Sequence, residues 1–123
     1  MKRITSLVVG VLLLAGCGGS AATLQSADEF AKSAAKPGVV VLDVRTPGEF
    51  QSGHIWNAIN IDVEGMTFNQ EIAKLDKSKE YAVYCRSGRR SAIATEAMSK
   101  AGFKNLVELS GGIQTWNGPL VTP

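Results

Sequence analysis

The sequence offers little with which to build a metal site or a covalent cross-link. Its 123 residues include one histidine, His54, and two cysteines, Cys17 and Cys85. There is no histidine pair at ligand spacing and no second cysteine beside either thiol, so no metal centre is expected. Aromatic residues make up only 7% of the chain, and Trp56 and Trp116 lack the spacing of a platform for stacking bases. An excess of one charge is also missing. Thirteen lysines and arginines face eleven aspartates and glutamates, with no basic stripe interleaved with aromatics outside residues 86 to 90, and nucleic acid is therefore not an expected partner. No apolar run reaches the roughly twenty residues that span a bilayer, and no internal repeat is present.

What the chain does have is the segment YAVYCRSGRRSA at 81 to 92. Tyr81, Val83 and Tyr84 have the character of a buried strand, and the apolar spacing from Ser91 to Met98 is that of a helix. Cys85 is thus expected at a strand-to-helix turn, where unpaired backbone N–H groups and the positive end of the helix dipole favour an anion. With Arg86, Arg89 and Arg90 close by, such a thiol is expected to favour its thiolate, the nucleophilic form. Gly88 lets the loop curl so that successive amides point inward. The alternative is an inert buried cysteine whose arginines merely solvate a turn.

The rest of the chain alternates helices and strands. Ser26 to Glu29 reads as a capping box, and its helix stops before Pro37-Gly38. Val39 to Val44 is an unbroken apolar run, as in a central parallel strand covered on both faces. Thr46 to Glu49 repeats the capping box with Pro47 in the first helical position, and Gly53 ends that helix. A strand at 58 to 61, a helix around Phe68, Ile72 and Leu75, and a last strand at 107 to 109 follow, with Gly102 as a helix stop and Gly111-Gly112 as a turn. The pattern predicts an α/β fold, one parallel sheet flanked by helices on both faces, with the site beyond the carboxyl ends of the strands.

The first residues are set apart from this pattern. Lys2 and Arg3 precede an apolar stretch from Ile4 to Leu14, and Leu14-Ala15-Gly16-Cys17 closes it with small residues before a cysteine. This resembles the bacterial lipobox. The resemblance implies a lipoprotein signal peptide at 1 to 16, lipidation of Cys17 and a tether at 17 to 24 that ties the protein to a membrane in the cell envelope, facing the periplasm or the exterior. Cleavage near Ala21-Ala22 and an uncleaved helix are the competing readings. Loss of Lys2 and Arg3 leaves 11 basic against 11 acidic residues, and with Cys17 consumed by lipid, Cys85 has no intramolecular partner. About a hundred residues remain, enough for one modest core.

Four separated blocks, LDVRTPGEFQSGHI at 42 to 55, AINI at 58 to 61, YCRSGRRS at 84 to 91 and LSGGIQTW at 109 to 116, together resemble a single-domain rhodanese, a sulfurtransferase. The resemblance spans roughly 25 to 118 and leaves 119 to 123 as a tail. Trp56-Asn57 stands where the family commonly has Pro-Gly. The resemblance implies that Cys85 forms a persulfide and that Arg86, Ser87, Gly88, Arg89, Arg90 and Ser91 make the substrate loop. It also implies that Asp43 and Arg45 hold loops together, and Glu49 is read as a second carboxylate for the same arginine. His54 matches a structural position. Implied partners are a small anionic sulfur donor and a thiol acceptor, with no cofactor. The rival activities are a phosphatase or arsenate reductase of related fold, whose loop carries five residues between Cys and Arg where this one has four before Arg90, or a non-catalytic interaction module.

Overall fold

The computed structural model describes residues 22 to 123; the expected signal peptide and Cys17 lie outside the described residues. In chain order the elements are β1 (Thr23–Gln25), α1 (Ala27–Ala35), β2 (Val40–Asp43), α2 (Pro47–Ser52), β3 (His54–Ile55), β4 (Ile59–Asn60) and α3 (Phe68–Ile72). They continue with β5 (Glu80–Tyr84), α4 (Arg89–Lys100), β6 (Asn105–Leu109), a 3-10 turn at Gly112–Thr115 and β7 (Leu120–Val121). Five strands form one sheet in the order β1-β6-β5-β2-β4, with every neighbouring pair parallel. β3 and β7 pair antiparallel beside it.

The unbroken apolar strands have helices on both faces, as their composition predicts. Side chains alternate along each strand. Leu42, Tyr81, Val83, Cys85 and Leu106 join Phe68 and Ile72 of α3 and Ala94 and Met98 of α4 in one cluster. Val41, Ala82, Tyr84, Val107 and Leu109 join Phe30 of α1 in the other. Cys85 therefore points to the α3/α4 side and Tyr84 to the α1 side.

Both capping boxes form. Ser26 accepts from the Glu29 N–H at 3.2 Å while Glu29 accepts from the Ser26 N–H at 3.1 Å. Thr46 and Glu49 exchange the equivalent pair at 3.3 Å. α4 begins differently. It starts at Arg89, two residues ahead of the apolar spacing that opens at Ser91. Its cap is Gly88 at φ +106°, with no side chain bonded to its first amides and no acidic residue in its first turn.

Three strands, β1, β3 and β7, lie where the sequence predicts none. Thr23 and Leu24, expected as the end of a tether, pair with Val107 and Glu108, and the expected C-terminal tail contributes β7, where Val121 lies opposite His54. Strands of three and two residues are too short to carry a periodic signal. Among the described residues no helix is long and apolar enough to cross a membrane.

Candidate active site

Cys85 follows the last residue of the central strand β5 and is fully buried. Its loop is held from below by the turn after β6. The Ile113 N–H donates to the Cys85 carbonyl at 2.8 Å and the Gln114 N–H to the Arg86 carbonyl at 3.3 Å. Gly112, at φ +67°, sits so close beneath the loop that a Cβ there would collide with the Arg86 carbonyl. With these carbonyls engaged behind the loop, the amide of Gly88 faces the sulfur and donates to Cys85 Sγ at 3.0 Å. The thiol donates to Ser91 Oγ at 3.6 Å, and the buried Ser91 hydroxyl donates to the Gly88 carbonyl at 3.1 Å. The sulfur thus has one backbone N–H aimed at it, the kind of donor that stabilises a sulfur anion.

The three arginines of the loop part company. Arg86 and Arg89 are exposed, as is Ser87, and among the described residues no ion pair engages either arginine. Arg90 instead forms a forked pair with Glu49, Nη1 to Oε1 at 2.7 Å and Nη2 to Oε2 at 2.9 Å, and lies 3.7 Å from Glu64. This corrects the expectation that Glu49 shares Arg45 with Asp43. It also narrows the expected role of Arg90, whose fork is already occupied by a carboxylate. The Arg90 bond holds the Glu49 carboxyl at about 2, against the opposing effect of burial and with further help from Thr46. The Arg90 guanidinium is raised in turn, first by its hydrogen bond to Glu49.

Asp43 and Arg45 do form the expected structural pair, and it is buried. Arg45 Nε reaches Asp43 Oδ1 at 3.0 Å and Nη2 reaches Oδ2 at 2.7 Å, and Nη2 also donates to the Gly53 carbonyl at 2.7 Å. The sequence reading missed Tyr84 as a partner. Its hydroxyl donates to Asp43 Oδ2 at 2.7 Å and accepts from the Ile55 N–H at 3.1 Å, while its ring lies 5.6 Å from the Arg45 guanidinium. Burial first, and Asp43 beside it, push the Tyr84 hydroxyl well above the usual tyrosine range. A signal existed in the paired ends of β2 and β5, where Asp43 lies opposite Tyr84, but strand pairing is not written in one segment. Asn60 completes the arrangement by donating to the Asp43 and Arg45 carbonyls.

His54 makes its ring contacts with Phe50 of α2. Its Nδ1 is 2.9 Å from the Phe50 carbonyl, which can only accept, so Nδ1 carries the proton. Its ring stacks on Phe50 at 3.7 Å. Trp116 packs edge-on against Phe30 at 6.1 Å, whereas Trp56 is 70% exposed. The two tryptophans border an apolar groove of about 370 Å³ against α1, and no residue of the Cys85 loop lines it. Among the described residues no three His, Cys, Asp or Glu side chains cluster to hold a metal.

The family model of the rhodanese-like domain matches residues 26–119. The chain belongs to this family. It is 38% identical over 78 residues to a probable adenylyltransferase/sulfurtransferase, MoeZ, of Mycobacterium tuberculosis (strain CDC 1551 / Oshkosh), a match covering 63% of this chain and 20% of that protein. It is 34% identical over 89 residues to a putative mitochondrial thiosulfate sulfurtransferase of Schizosaccharomyces pombe, covering 63% of each. The chain thus spans less than two thirds of these curated relatives. A crystal structure of a rhodanese-related protein from Thermoplasma volcanium superposes with a TM-score of 0.72 at 36% identity, covering 82% of this chain and 99% of that one. The rhodanese-like domain here accordingly has the single-domain α/β architecture, with Cys85 at the carboxyl end of its central strand.

Proposed function

We propose that this protein is a sulfurtransferase that carries sulfane sulfur as a persulfide on Cys85. The observation that carries the reading is the 3.0 Å bond from the Gly88 N–H to Cys85 Sγ, made inside a loop that presents Arg86 and Arg89 to solvent. In the first step the Cys85 thiolate attacks the outer sulfur of thiosulfate or a related donor. The Sγ–S bond forms, the S–S bond of the donor breaks, and sulfite leaves with the electron pair. In the second step an acceptor thiolate, or cyanide, attacks the outer sulfur of the persulfide and the Cys85 thiolate leaves. Both steps are displacements at sulfur and call for no cofactor. The inward Gly88 amide stabilises the anionic sulfur at Cys85, and the exposed arginines attract the anionic donor. The names of the relatives from Mycobacterium tuberculosis and Schizosaccharomyces pombe support this reaction class. The test is transfer of sulfur from thiosulfate to cyanide by the purified protein and by Cys85→Ser. Loss of transfer in the variant is expected; an active Cys85→Ser protein, or phosphatase activity with no sulfur transfer, contradicts the proposal.

The localisation rests on the sequence. Leu14-Ala15-Gly16-Cys17 behind a basic start and an apolar stretch supports lipidation of Cys17, which would hold the domain at a membrane of the cell envelope. Cys17→Ser is expected to abolish lipid modification and membrane retention. A variant that matures and stays on the membrane as the wild type does contradicts it.

A further inference from the structure

Three arginines sit in a loop of six residues, yet they are not equivalent. Arg86 and Arg89 are exposed, whereas Arg90 is clamped by both oxygens of Glu49 and has the Glu64 carboxylate at 3.7 Å. The side chain of Arg90 is 17% exposed and that of Glu49 30%, so the pair is partly shielded from water, where charges act more strongly than in bulk solvent. Glu49 belongs to α2, on a different stretch of chain, and reaches the loop only because β2 and β5 are neighbours in the sheet. Arg90 also stands in the chain between the two groups that touch the sulfur, Gly88, whose N–H donates to Cys85 Sγ at 3.0 Å, and Ser91, whose Oγ accepts from it at 3.6 Å.

We infer that Glu49 is a specificity-determining residue: by occupying Arg90 it limits the positive charge around Cys85 and so sets how much negative charge a sulfur donor can bring. The inference rests on the sulfur-transfer reading of the same site. With the pair intact, the donor meets Arg86 and Arg89. With Glu49 neutralised, Arg90 becomes a third uncompensated cation in the Cys85 loop, and a doubly charged donor gains more than a singly charged one. The two halves of one ion pair therefore act in opposite directions. A purely structural pair has no such asymmetry, because losing either half loosens the same loop.

The experiment compares two donors, thiosulfate with two negative charges and an aromatic thiosulfonate with one, in the wild type, Glu49→Gln, Glu49→Asp, Glu64→Gln and Arg90→Gln. The readout is the ratio of kcat/KM for the two donors, which cancels any change in the fraction of Cys85 that is ionised. Gln at 49 keeps the capping-box geometry of α2, and Glu64→Gln provides a second route to the same charge change without touching that cap. Glu49→Gln is expected to raise the thiosulfate-to-thiosulfonate ratio by roughly 2- to 10-fold, and Glu64→Gln by less. Arg90→Gln is expected to lower the ratio, Glu49→Asp to return it towards wild type, and added salt to shrink all the differences. If the wild type transfers sulfur but Glu49→Gln and Arg90→Gln leave the ratio unchanged or move it the same way, the inference is overturned while the sulfur-transfer reading stands. If the wild type takes sulfur from neither donor, that reading is overturned and this inference with it.

Discussion

Glu49 accepts from Thr46 at the start of α2 and from Arg90 at the start of α4, so one carboxylate joins the beginnings of two helices. Its folded pKa of about 2 lies below its ordinary value of 4.5. A group depressed in this way contributes stability that is fully present above the unfolded value and is lost as pH falls through the folded one. The denaturant midpoint of the wild type is therefore expected to fall between about pH 4.5 and 2 more steeply than that of Glu49→Gln, and the two are expected to converge at the acid end. Parallel profiles would contradict this. Because the pair is partly exposed, its loss at neutral pH is expected to cost only about 1 kcal/mol. Glu49 also marks a limit of what one sequence can show. The Thr46 cap is legible because it spans three residues, whereas Arg90 lies 41 residues away and reads from the sequence as part of the substrate loop. The nearer Arg45 was the obvious cation, and the fold gives it to Asp43 instead.

At the scale of elements, the loop from Cys85 to Ser91 gets its shape from the turn after β6. Gly112 is the point of contact. It combines φ +67° with a backbone approach that leaves no room for a Cβ against the Arg86 carbonyl. Gly112→Ala is expected to displace the loop and to cost about 1 to 3 kcal/mol in strain and overpacking. Sulfur loading of Cys85 is expected to fall well beyond what that loss of stability explains, because the Gly88 amide no longer meets the sulfur. Kinetics and denaturation of the variant check this, and wild-type loading would show that the turn does not position the loop. The capped starts of α1 and α2, the central strands and the strand-to-helix turn carrying Cys85 could be read from residue patterns, since each is a local rule. The Gly111-Gly112 turn could be located, but its service to the loop could not, because that depends on β6 lying next to β5.

For the molecule as a whole, the buried Arg45 network does the joining. Arg45 and Tyr84 connect Asp43 of β2, the end of α2 at Gly53, and Ile55 of β3 to the central strand β5. Arg45→Ala leaves Asp43, which is fully buried, without its cation, and is expected to destabilise the domain by about 3 kcal/mol. The comparison with Arg90→Ala, at about 1 kcal/mol, separates the arginine that holds the fold from the one that shapes the site; a reversed order in denaturant midpoints would contradict both assignments. The parallel sheet and the helices on its two faces followed from alternation of elements and from the apolar run of β2. The short strands β1, β3 and β7 did not, having too few residues to show a pattern. The proposed sulfur transfer requires one reactive sulfur at Cys85, held at the end of the central strand. The most direct measurement is the intact mass of the protein before and after exposure to thiosulfate without acceptor. A gain of one sulfur atom that cyanide removes and that Cys85→Ser does not acquire is expected; no gain in the wild type, or an equal gain in the variant, would rule out sulfur transfer through Cys85.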